Sequence, residues 1–233
     1  ELEDRADEIG LIAIQGPAAE RIVARLTDQD LGQLGFYRFV EGEVDGHRAI
    51  ISRTGYTGED GFELYVDADD TAALWRRLLE TGADDGVVPA GLGARDSLRL
   101  EMGYLLYGND LDINHTPLEA GLGWAVKLDK GEFLGREALK KQKEEGVRQR
   151  LVGFQLADRA FPRKDYEVRF EGESAGEVTS GLLSPSLGRG IGLAYIAAEA
   201  AKPGTAIEVV VRNRPLPAEV VRPPFYKDGS LKR

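Results

Sequence analysis

A chain of 233 residues leaves room for one large domain or two modest ones, and 42% hydrophobic with 30% charged residues points to a globular chain rather than a disordered one. Zero cysteines exclude a disulfide framework, cysteinyl zinc, iron–sulfur ligation and thiol catalysis, and two histidines, His47 and His115, leave too little for a histidine site, so no metal is expected. With 30 basic against 40 acidic residues the net charge is −10 without a basic stripe, and no apolar run reaches bilayer length, so neither nucleic acid nor membrane is an expected partner.

In chain order, G-L-I-A-I-Q (residues 10–15) reads as a buried strand halted by Gly16-Pro17, and Pro17 can open a helix over 18–26 with Ile22, Val23 and Leu26 on one stripe. Residues 36–40, 48–53 and 62–66 read as strands. Asp69 or Asp70 is the expected N-cap of a helix carrying Leu74, Trp75, Leu78 and Leu79, closed by Gly82. A second helix is expected over 91–102, then an irregular stretch over 103–117, a strand near 123–128 and a charged helix over 134–145 ending at Gly146. On that helix Lys140, Lys141 and Lys143 beside Glu144 and Glu145 read as a solvated face. Beyond Arg150 the pattern changes to short strands at 151–156, 166–170, 176–180, 190–195, 207–211 and 217–221, the spacing of a small β-barrel or sandwich. The expected fold class is α+β: an antiparallel sheet with packed helices over 1–147, then a small C-terminal β-barrel over 148–233.

Two segments carry candidate chemistry. R-T-G-Y-T-G-E-D-G-F-E (residues 53–63) places three glycines, Tyr56 and three carboxylates around a turn. It is not a phosphate loop, because no Lys-Ser/Thr follows and the carboxylates would repel phosphate. A carboxylate can accept two parallel N–H bonds from an amidine-like ring edge, and Glu63, in the strand after the loop, is the best positioned to do so. A hairpin connection remains the plainer reading, with Glu59 and Asp60 as turn formers. A-G-L-G-A-R-D-S-L-R-L-E-M-G (residues 90–103) reads as a helix with ion pairing among Asp96, Arg99 and Glu101, while Arg95 beside the glycine-rich start could reach a ligand with its planar fork. His115 reads as a loop residue, Tyr104 and Tyr107 as packing residues with pocket lining as the alternative, and residues 184–190 as a tight loop.

Together these motifs resemble the T-protein family of the glycine cleavage system, the tetrahydrofolate-dependent aminomethyltransferases. The resemblance continues through L-Y-G-N-D-L-D (106–112), T-P-L-E-A-G-L-G-W-A-V-K-L-D-K (116–130), F-L-G-R-E-A-L (133–139), S-P-S-L-G-R-G-I-G-L-A-Y (184–195) and P-P-F-Y-K (223–227), in order along nearly the whole chain. It implies transfer of a methylene group from the aminomethyl-dihydrolipoyl arm of H-protein to tetrahydrofolate, with release of ammonia. It implies that Glu63 holds the pterin edge, that Tyr56 lines the folate pocket and that Arg95 contacts the folate. It also implies a cytoplasmic location, or a mitochondrial one in a eukaryote.

The family's catalytic aspartate follows an asparagine-containing V-V-N-A motif that does not occur here, so no residue of this chain is named as catalytic. The chain corresponds to about the C-terminal two-thirds of the family's length and is expected to be inactive in aminomethyl transfer alone. A folate-binding relative linked to iron–sulfur assembly is marked by K-G-C-Y-x-G-Q-E; K-G-E-F-L-G-R-E (130–137) lacks its cysteine and glutamine. A dimethylglycine or sarcosine dehydrogenase would need an upstream G-x-G-x-x-G flavin loop, which is absent. A non-catalytic folate binder of the same fold, or a structural remnant, remains the alternative.

Overall fold

Period-two alternation of apolar residues builds the first sheet. Strand β1 (Ile9–Gln15) turns Ile12 and Ile14 inward, and β4 (Gly61–Asp67) does the same with Phe62, Leu64 and Val66. β2 (Phe39–Val44) and β3 (His47–Ser52) form a hairpin, and the order β1-β4-β3-β2 is antiparallel throughout. Helix α1 (Ala19–Val23) buries Ile22 and Val23, and α2 (Thr71–Thr81) buries Leu74 and Leu78 in the same core. The N-cap of α2 is Asp70, one of the two residues expected there. Asp70 makes no side-chain capping bond, its Oδ2 lying 3.0 Å from His47 Nδ1, while Asp67 accepts the Asp69 N–H and caps a short 3₁₀ turn, Ala68–Asp70, that feeds the helix. Gly82 closes α2 as expected. β1 is an edge strand buried on one face rather than both, and Leu11 remains 51% exposed.

Helix α3 (Leu92–Glu101) follows, and the structure, a computed structural model describing residues 2–231, divides within it. One compact unit comprises Glu1–Leu98 with Asp228–Arg233, the other Arg99–Lys227.

In the second unit the stretch 123–128 forms a 3₁₀ turn, Gly123–Ala125, and not the expected strand. Trp124 stands 74% exposed there, and its alternation with Ala125 and Val126 finds no neighbouring strand among the described residues. Helix α4 (Arg136–Glu145) ends at Gly146, with Lys141 and Glu145 paired on its exposed face at 3.7 Å. The remaining strands are β5 (Gln149–Leu156), β6 (Glu167–Phe170), β7 (Glu173–Leu183), β8 (Gly190–Ala197), β9 (Ala206–Val211) and β10 (Arg214–Val221). They close into an antiparallel barrel in the order β10-β5-β8-β7-β6-β9, which leaves no free edge. Phe154, Val168, Val178, Ile196, Val209 and Val220 fill its interior.

The irregular stretch 103–117 is organised by one buried carboxylate. Asp110, fully buried, accepts from Arg99 Nη1 at 2.8 Å, the Leu106 N–H at 2.9 Å and Thr179 Oγ1 at 2.6 Å. Thr179 is aimed there by a bulge in β7 between Val178 and Ser180, and Ser180 Oγ lies 2.9 Å from Arg99 Nη2. Tyr195 donates to the Asp110 carbonyl at 3.0 Å, and His115 stacks on the Tyr195 ring at 3.8 Å with Nδ1 2.8 Å from Asp112. Burial raises the Tyr195 pKa above its ordinary value. Glu101 accepts from the Ser184 and Ser186 hydroxyls and the Ser186 N–H. Arg99 and Glu101 therefore reach partners well beyond their own helix, which the expectation of pairing within it did not foresee. Arg99→Ala leaves the Asp110 carboxylate buried without its cation, an expected loss of about 3–5 kcal/mol, read as a lowered denaturation midpoint.

Candidate functional site

The loop 54–60 between β3 and β4 is shaped at its stem by Arg53, which is 3% exposed. Its Nε and Nη2 donate to the two Asp60 oxygens at 2.8 and 2.6 Å, a bidentate fork across the base of the loop. Nη1 donates to the Leu31 and Leu34 carbonyls at 2.7 and 3.0 Å, and Nη2 also donates to Glu20. The guanidinium lies 5.2 Å from the Phe62 ring centroid. Hydrogen bonding to Asp60 raises the Arg53 pKa above its ordinary value, against the opposing effect of burial. Asp60 is thus the buried counter-ion of this loop, where the sequence suggested only a turn former.

Inside the loop, Gln15 at the end of β1 takes the place of further backbone pairing. Its Nε2 donates to the Thr54 carbonyl at 3.0 Å and the Phe62 carbonyl at 3.3 Å, and its Oε1 accepts from Thr57 Oγ1 at 3.0 Å. Gly55 and Gly61 flank this side chain. A Cβ on Gly61 would lie 2.6 Å from the Ile14 carbonyl oxygen, which is backbone and cannot swing away.

Glu63 sits opposite Ala13 on β1 and Ser52 on β3. Its Oε2 accepts from Thr54 Oγ1 at 2.5 Å, and Thr54 Oγ1 lies 2.9 Å from Ser52 Oγ. Among the described residues Glu63 Oε1 has no hydrogen-bond partner, so one carboxylate oxygen is oriented by the protein and the other is available. Tyr65, two positions on, has its hydroxyl pKa raised by burial and then by the Glu63 charge.

A cavity of about 340 Å³ in the first unit is lined by Tyr56 and Thr57 from the loop, Glu63 from β4 and Arg95 from α3. That volume falls in the range of about 300–1,000 Å³ usual for small-molecule sites. The Arg95 guanidinium carbon lies 4.9 Å from the Tyr56 ring centroid, a cation–π contact joining helix and loop. The walls are largely apolar, with Ile12, Ile14, Trp75 and Leu78 contributing. The three residues singled out from the sequence therefore line one cavity. Sequence reasoning missed Gln15, Thr57 and Trp75. A polar residue ending an apolar strand run was the available signal for Gln15. Trp75 was counted with the core stripe of α2 yet is 41% exposed and turns to the cavity.

Such a site suits a flat ligand with an N–H edge: a carboxylate acceptor, a cation held over an aromatic ring, and apolar walls for ring faces. Among the described residues no cluster of three or more His, Asp or Glu is placed to hold a metal, and no helix is long and apolar enough to cross a membrane.

An α+β unit bearing a cavity, joined in one chain to a closed six-stranded barrel, defines the class. Residues 1–130 match the GCVT N-terminal domain, and residues 149–227 match the glycine cleavage T-protein C-terminal barrel domain. The chain belongs to the glycine cleavage T-protein family. It is 50% identical over 225 residues to an aminomethyltransferase of Halothermothrix orenii, a match covering 97% of this chain and 63% of that protein. An aminomethyltransferase of Rubrobacter xylanophilus is 53% identical over 228 residues, covering 97% of this chain and 59% of that one. The crystal structure of glycine cleavage system aminomethyltransferase T from Bartonella henselae superposes with a TM-score of 0.86 at 33% identity, over 96% of this chain and 61% of that chain. This chain thus spans about three-fifths of the length of these relatives.

Cavity formation makes a local demand that can be checked. Gly61→Ala forces a Cβ against the β1 backbone, an expected cost of about 1–3 kcal/mol in thermal or urea unfolding.

Proposed function

We propose that this chain carries the folate-binding part of a tetrahydrofolate-dependent aminomethyltransferase of the glycine cleavage system. In that reaction a methylene group passes from the aminomethyl-dihydrolipoyl arm of H-protein to tetrahydrofolate, giving 5,10-methylenetetrahydrofolate and ammonia. The observation that carries the reading is the convergence of Tyr56, Glu63 and Arg95 on one cavity with apolar walls. Lipoylated H-protein and tetrahydrofolate are the partners this reading requires, and the bacterial relatives favour a cytoplasmic setting.

Each side chain has a distinct task. Glu63, with Oε2 held by Thr54, presents Oε1 to the amino and ring N–H groups of the pterin edge. Tyr56 supplies a ring face along the cavity wall. Arg95, stacked on that ring, offers its fork to a carbonyl or carboxylate of the folate. None of the three is proposed as the proton-transferring residue. The V-V-N-A motif that precedes the family's catalytic aspartate is absent from these 233 residues, so binding without aminomethyl transfer is expected of this chain alone. We keep a division at residue 147 as the proposed boundary between the folate-binding region and the barrel domain, since β5 begins at Gln149.

The chain has two tryptophans, Trp75, which lines the cavity, and Trp124, which belongs to the second unit, and Trp75 makes the test direct. Titration with 5-formyltetrahydrofolate is expected to change Trp75 emission saturably in this chain. In a chain extended to the relatives' length, methylene transfer from aminomethyl-lipoyl H-protein is expected as well. Binding without transfer in the extended chain favours a non-catalytic folate binder, and binding by neither chain removes the folate reading altogether. Glu63→Gln turns an amide N–H₂ toward the pterin donors and is expected to weaken folate binding by about 1–3 kcal/mol; an unchanged dissociation constant excludes Glu63 from the site. Arg95→Lys replaces a planar fork with a point charge and is expected to cost about 1 kcal/mol of folate affinity, whereas wild-type affinity would make Arg95 a structural residue.

A further inference from the structure

The described residues 228–231 belong to the same compact unit as the cavity, although the residues before them, Arg99–Lys227, form the other. They end on the loop that carries Tyr56. The Ser230 N–H donates to Glu59 Oε2 at 2.9 Å, and the Ser230 hydroxyl donates to the same oxygen. That hydroxyl also accepts from the Asp60 N–H at 3.1 Å. Gly229 passes so close that a Cβ there would lie 2.5 Å from the Gly58 carbonyl oxygen. Three hydrogen bonds and one backbone approach thus fall on three consecutive loop residues, 58, 59 and 60.

These contacts continue inward to the cavity. The Glu59 N–H donates to Thr57 Oγ1 at 3.2 Å, and Thr57 Oγ1 donates to Gln15 Oε1 at 3.0 Å. Thr57 and Gln15 both line the cavity beside Tyr56. Arg53 clamps the stem of the loop and Gln15 braces its inner side, but neither reaches the outer side at residues 58 and 59. Only the chain's last described residues do so among the contacts seen. A loop of seven residues between two strands otherwise keeps much of its conformational freedom, and ordering it on ligand binding would draw on the binding free energy.

We propose that Gly229 and Ser230 act as an outer brace on the 54–60 loop, making Ser230 and Glu59 positioning residues for the ligand cavity. This segment pre-orders the loop so that Tyr56 and Thr57 stand in place before the ligand arrives. Neither Ser230 nor Glu59 lines the cavity, so the effect on ligand affinity is transmitted wholly through loop order. This rests on the folate reading of the cavity for its ligand, but not for the brace itself.

The test uses the full chain in a Trp124→Phe background, which leaves Trp75 as the sole tryptophan. Four variants are compared: Ser230→Ala, Ser230→Thr, Gly229→Ala and a chain ending at Lys227. Dissociation constants for 5-formyltetrahydrofolate, melting temperature and amide hydrogen exchange over 54–60 are measured for each. Ending the chain at Lys227 is expected to raise the dissociation constant on the order of tenfold, and Ser230→Ala or Gly229→Ala several-fold. Ser230→Thr, which keeps the hydroxyl and the N–H, is expected to restore affinity. Exchange at the Asp60 amide is expected to accelerate in the weakened variants while the melting temperature stays near that of wild type. Folate binding by wild type with unchanged affinity and exchange in all variants overturns the brace and leaves the folate reading intact. Absence of folate binding by wild type overturns the folate reading and the proposed positioning of its ligand, whatever the exchange at Asp60. A uniform fall in melting temperature that tracks affinity across all four variants, Ser230→Thr included, also overturns the proposal in favour of global destabilisation.

Discussion

The Arg53 guanidinium is the constraint on which the cavity depends. All five of its N–H donors are used, on Asp60, Glu20 and the Leu31 and Leu34 carbonyls, so a buried cation leaves no donor unmet. A buried ion pair is seldom a large net source of stability, because desolvation offsets the attraction. Its value here is geometric. The bidentate bond from residue 53 to residue 60 ties the two ends of the loop together, so residues 54–59 span a stem of fixed width. Glu20, on α1, and the carbonyls of 31 and 34 then hold that stem against the rest of the first unit.

From that stem the site follows by ordinary strand geometry. β4 begins at Gly61, and period-two alternation sends Phe62 and Leu64 into the core while Glu63 emerges on the other face. Thr54, at the other end of the stem, then lies close enough to orient the Glu63 carboxylate. Arg95 comes from a separate helix, and its contact with Tyr56 joins the helix to the loop. A slip of one residue in the β1–β4 register would turn Glu63 into the core and Phe62 toward the cavity.

The second unit solves a similar problem with a carboxylate in place of a cation. Asp110 gathers Arg99, Thr179 and the Leu106 N–H, so a stretch without regular backbone pairing still satisfies its buried polar groups. Much of this was hidden in the linear chain. The α+β layer followed by a small barrel was legible, because apolar alternation and helical spacing report burial directly. The strand expected at 123–128 was not real, since alternation is a necessary condition for a strand and pairing is a separate one. Arg99 and Glu101 looked like members of a helix-surface charge pattern because helical spacing was the only distance the sequence supplied.

Tyr56, Glu63 and Arg95 were identifiable from residue type, glycine density and family motifs, which are local properties of two short segments. Their chemistry, a carboxylate acceptor with an aromatic and a planar cation, was therefore set by the sequence alone. Tertiary structure decided that they line one cavity, that Asp60 serves Arg53 instead of a ligand, and that Gln15 and Ser230 support the loop from positions 39 residues before Thr54 and 171 residues after Glu59. The physical reason is one of range. Propensity and periodicity act over a few residues, whereas a hydrogen bond between a loop and a strand end or segment distant in sequence exists only after the backbone has brought them within about 3 Å.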